Sequence, residues 1–366
     1  MLIPVWQAKA KLPFNFWHTP DEHAVGKGVK IIDAAGNCIS RTSRVVHKGD
    51  EIITCEGNHY RVIKVRGQKA VAEFLGKDDA YLAYLDYFNG RDVPAAAQSQ
   101  SWGKRPVGIY HTHTDESYLP SDGESSIPAH GGIYDVGDAF AEELRRQGVN
   151  VRHYKTPHDP HDALAYTRSR RTAIGLTKHN PVALFDIHRD GIQDPNFYRD
   201  NIAGEEVARL RLVVGRQNPK MKTNLDFAKR IMAYVNQQHP RLIREIFMAH
   251  GSYNQDLLST ALLIEAGTYT NSKTAAENGI ALFADDLPVV LGLMAPKGAA
   301  SKEAGRSGWI LVIWILILTA VGAGAFLIIN AGSPQEALEQ VKKWFKKATE
   351  ITRAYFQRLI KNRTSH

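Results

Sequence analysis

Three short apolar runs in this chain each stop at a cluster of metal-ligating or acid–base side chains, and that repeated arrangement limits what the chain can fold into. Residues 107–110 lead into His111, Thr112, His113, Thr114, Asp115 and Glu116. Residues 182–187, interrupted only by Asp186, lead into His188, Arg189, Asp190 and Gly191. Residues 261–264 lead into Glu265, Ala266 and Gly267. Short continuous apolar runs are the pattern of strands buried on both faces. Open α/β sheets carry their sites at the C-terminal ends of such strands. His111 and His113 are two residues apart, so an extended chain turns both to one side. Imidazole and carboxylate together form a donor set that zinc prefers.

Between and after these runs the texture alternates. Residues 135–147 form an amphipathic pattern stopped by Gly148, followed by a strand pattern over 149–154. A helix is predicted over 161–179, strands over 210–214 and 245–248, and a helix over 224–238. After the third run, Thr274 and Glu277 read as a capping box for a helix running toward Leu287. The fold class this predicts is α/β, a mixed or parallel twisted sheet flanked by helices, over a main domain at 106–294. Upstream, the runs 29–32, 51–55, 60–65 and 70–74 are short, β-branched and separated by Gly or Asn turns, predicting a small β-rich N-terminal module over 1–94. The stretch AAAQSQS places a linker at 95–105.

Downstream, residues 295–308 (APKGAASKEAGRSG) read as a flexible linker. Residues 309–329 are uncharged and apolar over the ~20 residues that a bilayer crossing needs, predicting a transmembrane helix. Ser333, Pro334 and Glu336 then open a basic amphipathic helix over 333–362, suited to an anionic membrane surface or to a partner helix. The net charge is +8, and eight Lys/Arg against three Glu beyond Asn330 account for +5 of it. The body is therefore close to neutral, which gives no support to nucleic-acid binding. Two cysteines, Cys38 and Cys55, make neither a thiolate cage nor a disulfide framework. No signal peptide is evident near Met1. Lys342, Lys343, Lys346 and Lys347 outweigh Lys297, Lys302 and Arg306 across the apolar run. The positive-inside rule then predicts a single-pass cell-membrane protein with its tail in the cytoplasm and its body outside.

The pieces YHTHTDESYLP, HDALAYTRSR, DIHRDG and NQDLLSTALLIEAGTYTN resemble the stage II sporulation protein P family of endospore-forming bacteria, as does HKGDEIITCEGNHYRVIKV near the N-terminus. The family is related to the zinc-dependent N-acetylmuramoyl-L-alanine amidases of the third amidase class. The resemblance spans residues 25 to 290 approximately. It implies a peptidoglycan hydrolase that cuts the amide between N-acetylmuramic acid and L-alanine, with an endopeptidase action also credited to the family. It further implies work during forespore engulfment, beside a lytic transglycosylase and a membrane protein. Members usually carry an N-terminal membrane anchor, whereas the apolar run here is C-terminal.

The resemblance implies Zn2+ as cofactor and carries over residue by residue. His113 and His188 match the family's metal histidines. With both histidines of the first run turned inward, one of the pair is the ligand and the other orients it by a hydrogen bond. The related amidases place a ligand Glu at the start of their first helix, where this chain has Gly131, Gly132 and Ile133. That departure leaves the third ligand open: Glu116 is the choice, with Asp115, His130 and Asp135 as alternatives and a solvated loop carboxylate as the bland reading. Glu265 matches the catalytic Glu, and a carboxylate after four apolar residues is costly to bury without a task. Arg168 or Arg170 is expected to hold substrate carboxylates in a two-pronged grip, the alternative being a solvated helix charge. His111 and Asp190 complete the expected substrate side, with Asn254 bracing a loop there. His158 reads as a turn residue.

Overall fold

The computed structural model describes residues 24–90 and 105–293, apart from 163 and 203, together with 335, 336, 339, 342, 343 and 346. The predicted transmembrane helix at 309–329, the linker at 295–308 and most of the 333–362 helix lie outside the described residues. Among the described residues no helix is long and apolar enough to cross a membrane.

The N-terminal part runs β1 (Val29–Ile32), β2 (Cys38–Thr42), β3 (Glu51–Thr54), β4 (Asn58–Arg66), β5 (Lys69–Lys77) and α1 (Asp79–Gly90). The larger part begins with β6 (Val107–Tyr110), α2 (Leu119–Asp122), α3 (Ile133–Arg146), β7 (Val151–His153), α4 (Ala165–Thr177) and β8 (Ala183–Asp190). It continues with β9 (Arg199–Ile202), β10 (Glu205–Ala208), β11 (Leu210–Gly215), α5 (Met221–Gln238), β12 (Ile243–Ala249), β13 (Ala261–Thr268) and α6 (Lys273–Val290).

Eleven strands make one sheet in the order β2-β1-β5-β4-β3-β12-β11-β13-β8-β6-β7, and β9 and β10 form a separate hairpin. The sheet is mixed. β13, β8, β6 and β7 run parallel, and β11 with β12 runs opposite to them. β3 lies antiparallel against β12, with Ile52 opposite Phe247 and Thr54 opposite Glu245. The N-terminal strands therefore extend the sheet of the larger part. Strand β2, helix α1 and the β9–β10 hairpin add to the elements read from sequence. β2 buries Ser40 and Thr42, not an apolar stripe, so it carried no alternating signal. The capping side chain of α6 is Ser272, whose oxygen accepts from Ala275 N at 3.1 Å, and Thr274 lies inside the helix.

Alternation along the strands sorts the two faces of the sheet. Ile109, Phe185, Ile187, Leu212, Leu262 and Ile264 pack with Val136 and Phe140 of α3, Phe227 of α5 and Phe283 of α6. On the other face, Val213, Phe247 and Leu263 share a core with Tyr166 of α4 and with Val29, Ile31, Val62 and Ala72 from the N-terminal strands. The even-numbered residues of β8 and the odd-numbered residues of β11, β12 and β13 point to this second face. That rule sends Asp186, His188, Asp190, Arg211, Glu245 and Glu265 into one buried layer, and all are at most 1% exposed.

Candidate metal centre

Strand β6 ends at Tyr110, and the two histidines that follow part company. Asp186 captures the turn between them: Thr112 N donates to its Oδ1 at 2.8 Å and Thr112 Oγ1 to its Oδ2 at 2.6 Å. His111 stays on the α3 face. Its Nδ1 donates to Ile187 O at 3.0 Å and its Nε2 lies 2.8 Å from His153 Nε2. Only glycine fits beside it, since a Cβ at Gly137 would stand 2.6 Å from the His111 ring. The expectation that His111 and His113 share a face is thus corrected: two-residue alternation holds only while the chain stays extended.

His113 enters the other layer and meets Glu116 and His188. Glu116 Oε1 lies 3.3 Å from His113 Nδ1 and 3.5 Å from His188 Nδ1. All three residues are buried. Glu116 Oε2 accepts from Arg189 N at 2.8 Å, which fixes the carboxylate plane. The two glycines before α3 sit where a side chain would be crowded. A Cβ at Gly131 would come within 2.4 Å of Glu116 O, and one at Gly132 within 2.1 Å of Asp122 Oδ2. Of the alternatives, Asp115 takes its hydrogen bonds from His161 Nδ1 at 3.0 Å and from Ser126. Asp135 pairs with Lys273 at 2.6 Å.

The donor set fits zinc on two grounds. Ligands ~2.0–2.1 Å from a tetrahedral zinc stand ~3.3–3.5 Å apart, and the two separations from Glu116 Oε1 are 3.3 and 3.5 Å. Second, His188 is wholly buried, yet neither ring nitrogen makes a well-shaped hydrogen bond. Asp186 Oδ1 does stand 2.9 Å from Nε2 as an ion-pair partner. That carboxylate orients the ring from behind, as such partners do for metal-bound imidazoles. Burial alone would depress the His188 pKa, but Asp186 and Glu116 overcome it and push it up to about 10. Burial opposes ionisation of Glu116 too, and His188 and His113 hold its carboxyl well below the usual range. A second group of ligand-type side chains pairs half-buried His239 and Asp285 with buried Asp286, just beyond α5 and within the C-terminal half of α6.

Around the three residues stand His161, stacked on His113 at 3.7 Å, and Tyr166, whose ring is 5.4 Å from His113 and parallel to His188 at 6.2 Å. Glu265 is the in-register neighbour of His188 on β13. Its Oε1 accepts from Arg44 Nε at 2.8 Å, and its Oε2 from Arg211 Nη1 at 2.7 Å and Tyr198 OH at 3.1 Å. Burial, with Asp190 adding to it, raises the Glu265 pKa against the pull of Arg211 and Arg44.

The other expected site residues are committed to the framework. Arg168 donates to His158 O at 2.6 Å and to Asp162 at 2.6 Å. Arg170 grips Asp256 with both terminal nitrogens at 2.8 and 2.6 Å. Asp190 accepts from Ser43 N, Tyr198 OH and Arg211. Asn254 donates to Tyr166 O and Ser169 Oγ, bracing the end of α4. His158 lies between His111 O and Thr172 Oγ1. Arg44, His161 and Arg211 were not read as site residues. Arg211 did leave a signal: a lone guanidinium inside the apolar run LRLVV needs buried carboxylate partners.

The family model for stage II sporulation protein P matches residues 62–287. The chain is similar to stage II sporulation protein P of Bacillus subtilis (strain 168), 31% identical over 189 residues, covering 46% of this chain and 47% of the relative. The match thus spans about half of that relative's length. Among solved structures, the chain is similar to an N-acetylmuramyl-L-alanine amidase from Mycobacterium smegmatis, with a TM-score of 0.37 and 15% identity over 52% of this chain and 98% of that one. It is also similar to the CwlD amidase from Clostridioides difficile, solved with the GerS lipoprotein, with a TM-score of 0.31 and 14% identity over 52% of this chain and 100% of that one. With more than half of its length matched by the family model, this chain belongs to the stage II sporulation protein P family.

Proposed function

We propose that this protein is a zinc-dependent peptidoglycan hydrolase of sporulation that cleaves the amide between N-acetylmuramic acid and L-alanine of the stem peptide. The observation that carries the reading is the buried convergence of His113, Glu116 and His188, with Glu116 Oε1 at tetrahedral edge lengths from both Nδ1 atoms. Zinc held there supplies a water that ionises near pH ~7 and a Lewis acid for the scissile carbonyl. Glu265, buried on the adjoining strand, takes a proton from the attacking water and delivers it to the leaving L-alanine nitrogen. Asp186 keeps His188 aligned, and Arg189 N keeps Glu116 aligned. Family membership supports a place in engulfment, beside a lytic transglycosylase and a membrane protein.

The test is a digest of purified sacculi with the full chain, with and without a chelator, analysed by mass spectrometry. Peptides with a free N-terminal L-alanine, released only without chelator, are expected. Cuts confined to the interior of the stem would replace this reading with a zinc endopeptidase.

Zinc binding is expected to release about one proton at pH 7, because His188 carries an extra proton in the metal-free protein and binds metal only when neutral. Apparent affinity should then rise ~10-fold per pH unit between pH 7 and 9. Calorimetry in two buffers of different ionisation enthalpy measures the proton directly, and a pH-independent affinity would contradict the assignment. The same raised pKa stabilises the metal-free fold below pH ~6.5, and this contribution fades as pH rises toward about 10.

We place the hydrolytic body outside the cell membrane, tethered by the 309–329 run. Protease added to intact protoplasts is then expected to digest the body and spare the basic tail; the reverse pattern would place the body in the cytoplasm.

A further inference from the structure

We infer that Arg44, delivered by the N-terminal strands, is a positioning residue of the hydrolytic site and holds the Glu265 carboxylate in its working orientation. The inference rests on the reading of Glu265 as proton carrier. Arg44 lies outside the span matched by the family model, which begins at residue 62.

The contact is built, not incidental. Arg44 Nε donates to Glu265 Oε1 at 2.8 Å, with the side chains 3% and 1% exposed. Its Nη1 lies 3.4 Å from Tyr166 OH, and its guanidinium sits 5.1 Å above the Tyr253 ring. Tyr166 in turn flanks both His113 and His188. One guanidinium therefore ties the carboxylate to the aromatic wall of the metal pocket. The preceding residue bolts the segment down: Ser43 N donates to Asp190 Oδ1 at 2.8 Å, and Ser43 Oγ accepts from Gly191 N at 3.0 Å, just beyond His188.

The division of labour at Glu265 follows from the partners of Arg211. Arg211 divides itself among Asp190, Glu245 and Glu265 at 2.7, 2.8 and 2.7 Å, and with Tyr198 it engages only Oε2. A carboxylate gripped at one oxygen can still turn about its last torsion, which is broad and twofold. Arg44 holds Oε1 from a different element of the fold and so fixes the plane. Without it, Glu265 stays buried but loses its aim, and misplacement by ~1 Å costs ~100-fold in rate.

The experiment compares the full zinc-loaded chain with Arg44→Ala and Arg44→Lys on a muropeptide substrate. Arg44→Ala is expected to lower kcat ~10–100-fold with KM within ~2-fold and zinc content unchanged. Arg44→Lys is expected to recover part of kcat, because an ammonium can still donate to Oε1. An unchanged or increased kcat in Arg44→Ala would overturn the inference, as would a loss confined to KM or a lysine variant no better than alanine. If Arg44→Ala does not fold, Arg44→Gln against Arg44→Lys makes the same comparison. A wild-type protein that binds zinc yet releases no peptides would sink the amidase reading alone. Arg44 would then be judged from the crystal structure of Arg44→Ala: a rotated Glu265 carboxylate supports the inference, and an unmoved one overturns it.

Discussion

Glu265→Gln is expected to lower turnover by ~10²–10⁴ while leaving zinc bound. The side chain keeps its shape but gives up the charge that faces Arg44 and Arg211, so a urea unfolding midpoint is measured beside the rate to separate the proposed proton-carrying role from lost stability. Three features prepare Glu265 for that role. It neighbours His188 in register across β13 and β8, it is 1% exposed, and burial lifts its pKa toward the range where a base can also return its proton. None of the proposed zinc ligands is touched, so the metal content measured by elemental analysis should match wild type. Single-turnover rates on a defined muropeptide are the check. Wild-type rates in Glu265→Gln would leave the carboxylate as a member of an ion-pair network only.

Arg211→Met is expected to destabilise the fold by ~3–5 kcal/mol, because it removes one partner from a buried charge cluster. Arg211 is fully buried and is the common partner of Asp190, Glu245 and Glu265. Its removal leaves carboxylates in a dry layer with only part of their compensation, from Arg44 on Glu265 and from Arg244 at 3.7 Å on Glu245. Glu265, whose pKa burial and Asp190 already raise, loses a counter-charge in this variant, so the deficit grows as pH rises through the acid range and narrows as that carboxyl protonates. Urea unfolding at pH 7 and at pH 4.5 reads both effects. A midpoint indistinguishable from wild type at both would show that the cluster is not a structural hub.

Much of this fold could be read in the sequence, for a physical reason. β8 and β13 are buried on both faces, so they appear as apolar runs ending in charge, broken in β8 only by Asp186. The same runs announced His188 and Glu265. Placing His113 with Glu116 needed the turn at Thr112, which depends on Asp186, 74 residues away, and no local pattern reports such a contact. For that reason His111 and His113 were expected to share a face, and the structure separates them. Arg168 and Arg170 carry forks suited to a substrate carboxylate, but Asp162 and Asp256 reach them first. β2 escaped because its buried residues are polar: Ser40 donates to Glu245 at 2.6 Å. With β2 unread, Arg44 just after it had no reason to be placed in the site.

His113, Glu116 and His188 are proposed to hold one zinc ion together. Anomalous diffraction at the zinc edge from crystals of the full chain grown with equimolar zinc tests this most directly. A single strong site ~2.0–2.2 Å from His113 Nδ1, His188 Nδ1 and a Glu116 carboxylate oxygen is expected. No bound zinc, or zinc only beside His239, Asp285 and Asp286, would contradict it.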